Sequence, residues 1–172
     1  MFANNVPKEW IMKVLSSCRK HKNQYLFQTK NPIRFFDFLD FFPENTILCI
    51  TLETNKMIGV KNCPEPMERA YKFSSLLLNK FDRMVTIEPI MDFDVPEFVE
   101  VIKSIRPRYI NIGADSKNHN LPEPSEYKIK LLIEELKKFT NITKKDNLER
   151  LFALDGRSEG ETKWQETQSA NL

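Results

Sequence analysis

Along this chain, short runs of β-branched and aromatic residues alternate with longer segments whose apolar positions recur every three or four residues. The alternation predicts five strand–helix units. The β-rich runs are Tyr25–Lys30, Thr46–Glu53, Arg83–Glu88, Tyr109–Gly113 and Asn141–Asp146. A first helix from Pro7 to His21 carries Ile11, Val14, Leu15 and Cys18 on one stripe, which makes Cys18 a core residue, with Lys13, Arg19 and Lys20 off it. Asn31-Pro32 opens a short helix reaching Phe42. Its five phenylalanines exceed what one helix face can use, so some of the rings should seal an end of the sheet. Met67–Lys80 reads as a further helix. Asp94-Val-Pro-Glu97 has the form of a capping box ahead of Phe98, Val101, Ile102 and Ile105, and Pro107 ends that helix. After the stiff lead-in Leu121-Pro-Glu-Pro-Ser125, a serine cap precedes Ile129, Leu132, Ile133 and Leu136 on one face.

Strands joined through helices run parallel and bring their carboxyl ends to one rim, where side chains distant in sequence converge. In the second strand, Ile47, Cys49 and Thr51 alternate with Leu48, Ile50 and Leu52, an apolar pattern on both faces that implies a helix on each side. A closed barrel has eight strands and about 200 residues or more. The expected fold is therefore α/β, an incomplete parallel (β/α) barrel of the TIM type over residues 1–154, with Asp155–Leu172 a disordered polar tail. An open parallel sheet is the alternative. Dinucleotide binding is disfavoured, because the only glycines are Gly59, Gly113, Gly156 and Gly160 and no GxGxxG turn follows a strand. The Thr54–Pro66 stretch is long for a βα connection, which fits a functional loop or simple filler.

Composition narrows the partners. With 172 residues, 41% of them hydrophobic, and no long apolar run, the chain reads as one soluble domain without a membrane span. Lys and Arg number 26 against 24 acids, and this interspersed charge of +2 makes no case for nucleic acid. The amino-terminal residues lack the basic and apolar regions of a secretory signal, so a cytoplasmic location is the default. Cys18, Cys49 and Cys63 are spaced for neither a disulfide framework nor a metal-ligand pair. Reduced thiols are expected.

Rim positions hold the candidate chemistry. Glu88, before Pro89 at a strand end, is placed for ligand binding or proton transfer, and otherwise is a solvated strand-end acid. Glu53 ends the neighbouring strand, so the two would form the acid and base of a carboxylate hydrolase. Lys30 suits a carboxylate or phosphate, and equally a plain surface turn. Asp115 and Ser116 follow the small residues Gly113 and Ala114, whose backbone permits close ligand approach or an ordinary turn. Lys145 and Asp146 end the last strand and cap the helix that begins at Asn147. His21 closes the first helix and His119 lies in a polar loop, neither spaced for metal or triad chemistry.

Seven strings, in order, carry a resemblance: Val6-Pro-Lys-Glu-Trp-Ile11, Phe27-Gln-Thr-Lys-Asn-Pro32, Thr51-Leu-Glu-Thr54, Ile87-Glu-Pro-Ile-Met-Asp-Phe-Asp94, Ile112-Gly-Ala-Asp-Ser116, Leu121-Pro-Glu-Pro-Ser125 and Lys145-Asp-Asn-Leu148. Over residues 1–152 the chain resembles the phage gene-product 37/68 family, a radical-SAM-like domain of unknown function. The resemblance implies Lys30, Glu53, Arg69, Glu88, Asp115, Ser116 and Lys145 as the set lining a cofactor or substrate cavity. Arg69 enters by the resemblance alone and otherwise reads as a helix-surface arginine. Intact relatives imply a [4Fe-4S] cluster and S-adenosylmethionine, held through a three-cysteine motif upstream of the region resembling Met1-Phe2. Nothing in this sequence substitutes for that motif. The expectation is thus a carboxyl-terminal piece without its own cofactor or radical catalysis, completed by a missing amino-terminal portion or by self-association through open sheet edges. A non-catalytic binding module and the Glu53/Glu88 hydrolase are the alternatives.

Overall fold

The computed structural model describes residues 1–117 and 119–153. The expected polar tail, Asp155–Leu172, lies outside the described residues. Chain order is α1 (Lys8–Cys18), β1 (Tyr25–Thr29), a 3₁₀ turn (Pro32–Phe38), β2 (Thr46–Thr51), α2 (Pro66–Phe73), a 3₁₀ turn (Leu76–Leu78), β3 (Asp82–Ile87), α3 (Val95–Ile105), β4 (Tyr109–Ile112), α4 (Glu126–Lys137), β5 (Asn141–Lys144), a 3₁₀ turn (Asp146–Leu148) and α5 (Arg150–Ala153). The α/β class and all five strands expected from the sequence are present.

The sheet is entirely parallel, and its spatial order is the chain order, β1-β2-β3-β4-β5. Each crossover steps one strand over in the same direction. Right-handed crossovers put the connecting helices α2, α3 and α4 on a single face. Neighbour contacts agree, with α2 against the Pro32–Phe38 turn, α3 against α2, and α4 against α3. One apolar cluster joins Ile11 and Leu15 of α1, Ala70 and Phe73 of α2, Phe98, Ile102 and Ile105 of α3, and Ile129, Leu132 and Leu136 of α4 to Leu48, Ile50, Val85, Ile87, Ile110 and Ile112 of the strands.

Among the described residues no helix packs on the second face of β2, against the expectation of a helix on each side. Register partners in a parallel ladder share a face, so Thr51, Thr86, Asn111 and Thr143 form one row opposite the apolar row. Cys49 and Met84 on that second face are buried yet stand outside the helix-packed cluster. Short polar side chains cover one another there: Gln28 Nε2 donates to Thr51 Oγ1 at 3.0 Å, and Cys49 Sγ lies 3.4 Å from Thr86 Oγ1.

Other local expectations shift. The segment after Asn31 is 3₁₀ rather than α, and α2 ends at Phe73 rather than Lys80. Val14 is 43% exposed, so the α1 stripe is narrower than its periodicity, and Cys18 is half-buried against the core. Phe35, Phe38 and Phe42 gather with Phe2 around Phe27 of β1, while Phe41 stays exposed. The Asp94 side chain makes no cap bond to α3. Instead Asn55 Oδ1 accepts the Asp94 N–H at 3.0 Å and Asn55 Nδ2 donates to Glu97 Oε2 at 3.1 Å. Helix α3 ends on Arg106 in the left-handed region, φ 54°, one residue before Pro107. Ser125 caps α4 as expected, its hydroxyl accepting the Lys128 N–H.

Candidate functional site

Past the ends of the strands the ladder continues: Leu52 N–H bonds Thr86 O, Met91 N–H bonds Glu53 O, Ile90 N–H bonds Gly113 O and Lys145 N–H bonds Ile112 O. Those bonds hold the carboxyl-end rim in register. Glu53 and Glu88 each lie two residues beyond the paired Thr51 and Thr86, so both belong to the polar face.

Glu53 is 2% exposed, and each of its oxygens meets a cation. Lys30 Nζ lies 2.6 Å from Oε1 and Arg69 Nη1 lies 2.7 Å from Oε2. Arg69 is not a helix-surface residue as its local pattern implied. It is fully buried on α2, donating also to Thr51 O at 2.9 Å and from Nε to Pro64 O at 2.7 Å, with Cys63 Sγ 3.7 Å from Nη2. This buried carboxylate is thus bracketed by two cationic side chains, one on each oxygen. Its part is to hold Lys30, whose side chain is 45% exposed, at the rim.

Glu88 turns the other way. Lys145 pairs with its Oε2, and Asn147 Nδ2 donates to its Oε1 at 3.3 Å. Asn147 also brackets the turn after β4, donating to Ala114 O at 2.8 Å and accepting the Ala114 N–H at 3.2 Å. Glu88 reaches these partners by lying across β4 at Gly113. A Cβ there would sit 2.8 Å from Glu88 Oε1 and 3.0 Å from Asn147 Oδ1. The glycine is required by this close approach.

Asp115 belongs to a separate network. Asp115 is buried, and Oδ1 accepts the Lys117 N–H at 3.0 Å and lies 2.8 Å from His119 Nδ1, while Oδ2 accepts the His119 N–H. Burial alone would raise this carboxyl. Hydrogen bonds from the His119 ring and the two backbone amides outweigh it and hold Asp115 at about 2, below the ordinary 3.8. Arg150 braces the same turn through Glu123 and, at 2.9 Å, Asp115 O. Ser116 is exposed. A further knot ties the Thr54–Pro66 loop to the rim: Asp92 lies 2.6 Å from both Lys56 and Lys128, which hold it below the usual carboxylate range, Lys128 contributing most. Glu65 accepts the Ile58 and Val60 N–H groups, and Gly59 supplies the positive φ of 63° between them. The loop is a built element.

Of the seven candidate residues, the structure thus joins Lys30, Glu53 and Arg69, joins Glu88 to Lys145, and sets Asp115 and Ser116 apart. Lys145 precedes the Asp146–Leu148 turn and makes no side-chain cap bond. Sequence reasoning missed Asn147, Glu123 and Arg150, all supplied by the segment after β5 or the lead-in to α4. Asn147 and Glu123 stand in two of the quoted strings, whereas Arg150 falls in none and left no advance signal.

The cysteines are dispersed over α1, β2 and the loop before α2, and no three His, Cys, Asp or Glu among the described residues are grouped to hold a metal ion. Burial pushes the Cys49 thiol up to about 11 from 9.0, against modest opposition from Thr86, which disfavours the thiolate that iron requires. The described residues do not fit a [4Fe-4S] cluster. Among them no helix is long and apolar enough to cross a membrane. Compared with known proteins, the chain matches no protein-family model, no curated protein and no solved structure.

Proposed function

We propose that the chain is a radical-SAM-like partial (β/α) barrel of the phage gene-product 37/68 type, whose polar sheet face and charged rim form one wall of a small-molecule chamber. The observation that supports this reading is the strand order: five parallel strands in chain order, with α1 to α4 packed into one apolar cluster among the described residues, are what an arc of a barrel wall would require. An open doubly wound sheet instead reverses direction and covers both faces. The rim supports a ligand of mixed charge, because Lys30 and Lys145 each use one of three ammonium donors on the facing carboxylate and keep the rest for a ligand anion. Glu88, a quarter exposed, offers the complementary acceptor for a ligand ammonium or hydroxyl group.

S-adenosylmethionine carries a carboxylate, an ammonium and ribose hydroxyls, and so matches this donor set. When bound with a reduced cluster it supplies radical chemistry; this chain's own residues bind and orient, and no radical step is assigned to it. Calorimetric titration of the full chain with S-adenosylmethionine tests the reading. Saturable binding is expected, weakened by about tenfold in Glu88→Gln and in Lys145→Gln, the factor for one charge-assisted hydrogen bond. Gly113→Ala should weaken it too, by pushing Glu88 off Asn147. Binding that is absent, or indifferent to all three changes, contradicts the proposal.

The same topology favours a second reading, in which another polypeptide completes the sheet. Among the described residues strand β1 has β2 as its single neighbour, and Leu26 on it is 50% exposed. Light scattering that finds a monodisperse monomer at all concentrations would argue against pairing between copies.

A further inference from the structure

The basic run Arg19-Lys-His-Lys22 follows α1 at the amino ends of the strands, the opposite end of the sheet from Lys30 and Glu88. There the turn after α1 and the loop before β2 flank an open surface cavity of about 600 Å³, lined mostly by exposed side chains. That volume is within the range of small-molecule sites. Its walls are fixed by three bonds: Arg19 Nη1 to Asp40 O at 3.1 Å, Tyr25 N to Asn45 O at 2.9 Å, and Thr46 Oγ1 to Pro43 O at 2.8 Å. The apolar side is equally fixed, since Phe42 is held among Phe2, Phe27, Phe35 and Phe81.

Charge gives the site its sign. Arg19, His21 and Lys22 line the cavity against a single acid, Glu44, and Asn23 adds a carboxamide. A helix carboxyl end repels anions through its free carbonyls, but here Leu15 O, Ser17 O and Cys18 O already accept the N–H groups of Arg19, Lys20 and His21. Arg19 spends one donor on Asp40 O, which orients its fork and leaves the others for a ligand.

We propose that this cavity binds a small phosphomonoester, its phosphate taken by Arg19 and Lys22 and its body resting against Phe42 and Pro43. The proposal is independent of the rim reading and concerns the other end of the molecule. Amide chemical shifts of the full chain are followed during titration with adenosine monophosphate, inorganic phosphate and adenosine. Saturable shifts confined to residues 19–23 and 42–45 are expected for the two phosphates and none for adenosine. Lys22→Gln and Arg19→Gln should each weaken the effect by about tenfold, and Glu44→Gln should tighten it. Lys22 makes no bond within the fold among the described residues, so its variant keeps the test sharp should Arg19→Gln loosen the loop. Shifts that survive both substitutions, that chloride at equal ionic strength reproduces, that adenosine causes as strongly, or that are absent at millimolar phosphate would overturn it.

Discussion

Glu53 and Glu88 look alike in the sequence, each closing an apolar strand, and the fold gives them different work. Glu53 is buried between Lys30 and Arg69, whereas Glu88 keeps solvent contact beside Lys145 and Asn147. Burial of Arg69 could not be read from α2, where its neighbours Glu68 and Lys72 suggest a wet face; only the approach of β2 and the Pro64 turn closes over it. Removing one partner of a buried ion pair leaves the other charge unsatisfied. Glu53→Gln should therefore lower stability by about 3–5 kcal/mol in urea unfolding. Arg69→Lys should rescue little, because three guanidinium nitrogens meet four acceptors. Asp115 gives a pH signature. Its folded value of about 2 lies below the ordinary 3.8, so the stability it contributes is present above 3.8 and is lost as pH falls toward 2. Asp115→Asn should flatten the acid limb of the unfolding midpoint against pH between these values; an unchanged limb would assign that limb to other carboxylates.

Periodicity located the strands and most helices because their buried faces repeat at fixed intervals, as Ile129, Leu132, Ile133 and Leu136 do on α4. Termini were less legible. The capping box at Asp94 was a local expectation, and a residue 39 positions away displaced it: Asn55 takes the Asp94 N–H and holds Glu97. Long-range competition of this kind leaves no mark in a window of neighbours. Asn55→Ala should accordingly cost about 1–2 kcal/mol and raise proteolysis of the Thr54–Pro66 loop, while Asp94→Ala should change stability little. A larger loss from Asp94→Ala would restore the box. The second strand misled for a related reason, since Cys49 and Thr51 mimic a helix-covered face while covering their neighbours laterally. Cys49, with its raised thiol, should resist alkylation at neutral pH in the native state and react once the chain unfolds.

Taken together, the five units form a sheet with one dry, helix-packed side and one polar side that ends in paired charges. Order along the sheet equals order along the chain; the strand–helix rhythm implied the convergence of the strand ends but left the strand order open between a barrel arc and an open sheet. Which rim residues meet was not implicit, because Asn147 reaches Glu88 across β4 and Arg150 reaches Asp115 from beyond β5. On the proposed reading, the polar side is a wall for a ligand and the helical side its support. Amide mapping of the full chain with S-adenosylmethionine decides the matter: the account predicts saturable shifts at Glu88, Gly113, Ala114 and Lys145 with the amides of α3 and α4 unmoved. Shifts confined to the helices, or none at all, would contradict it.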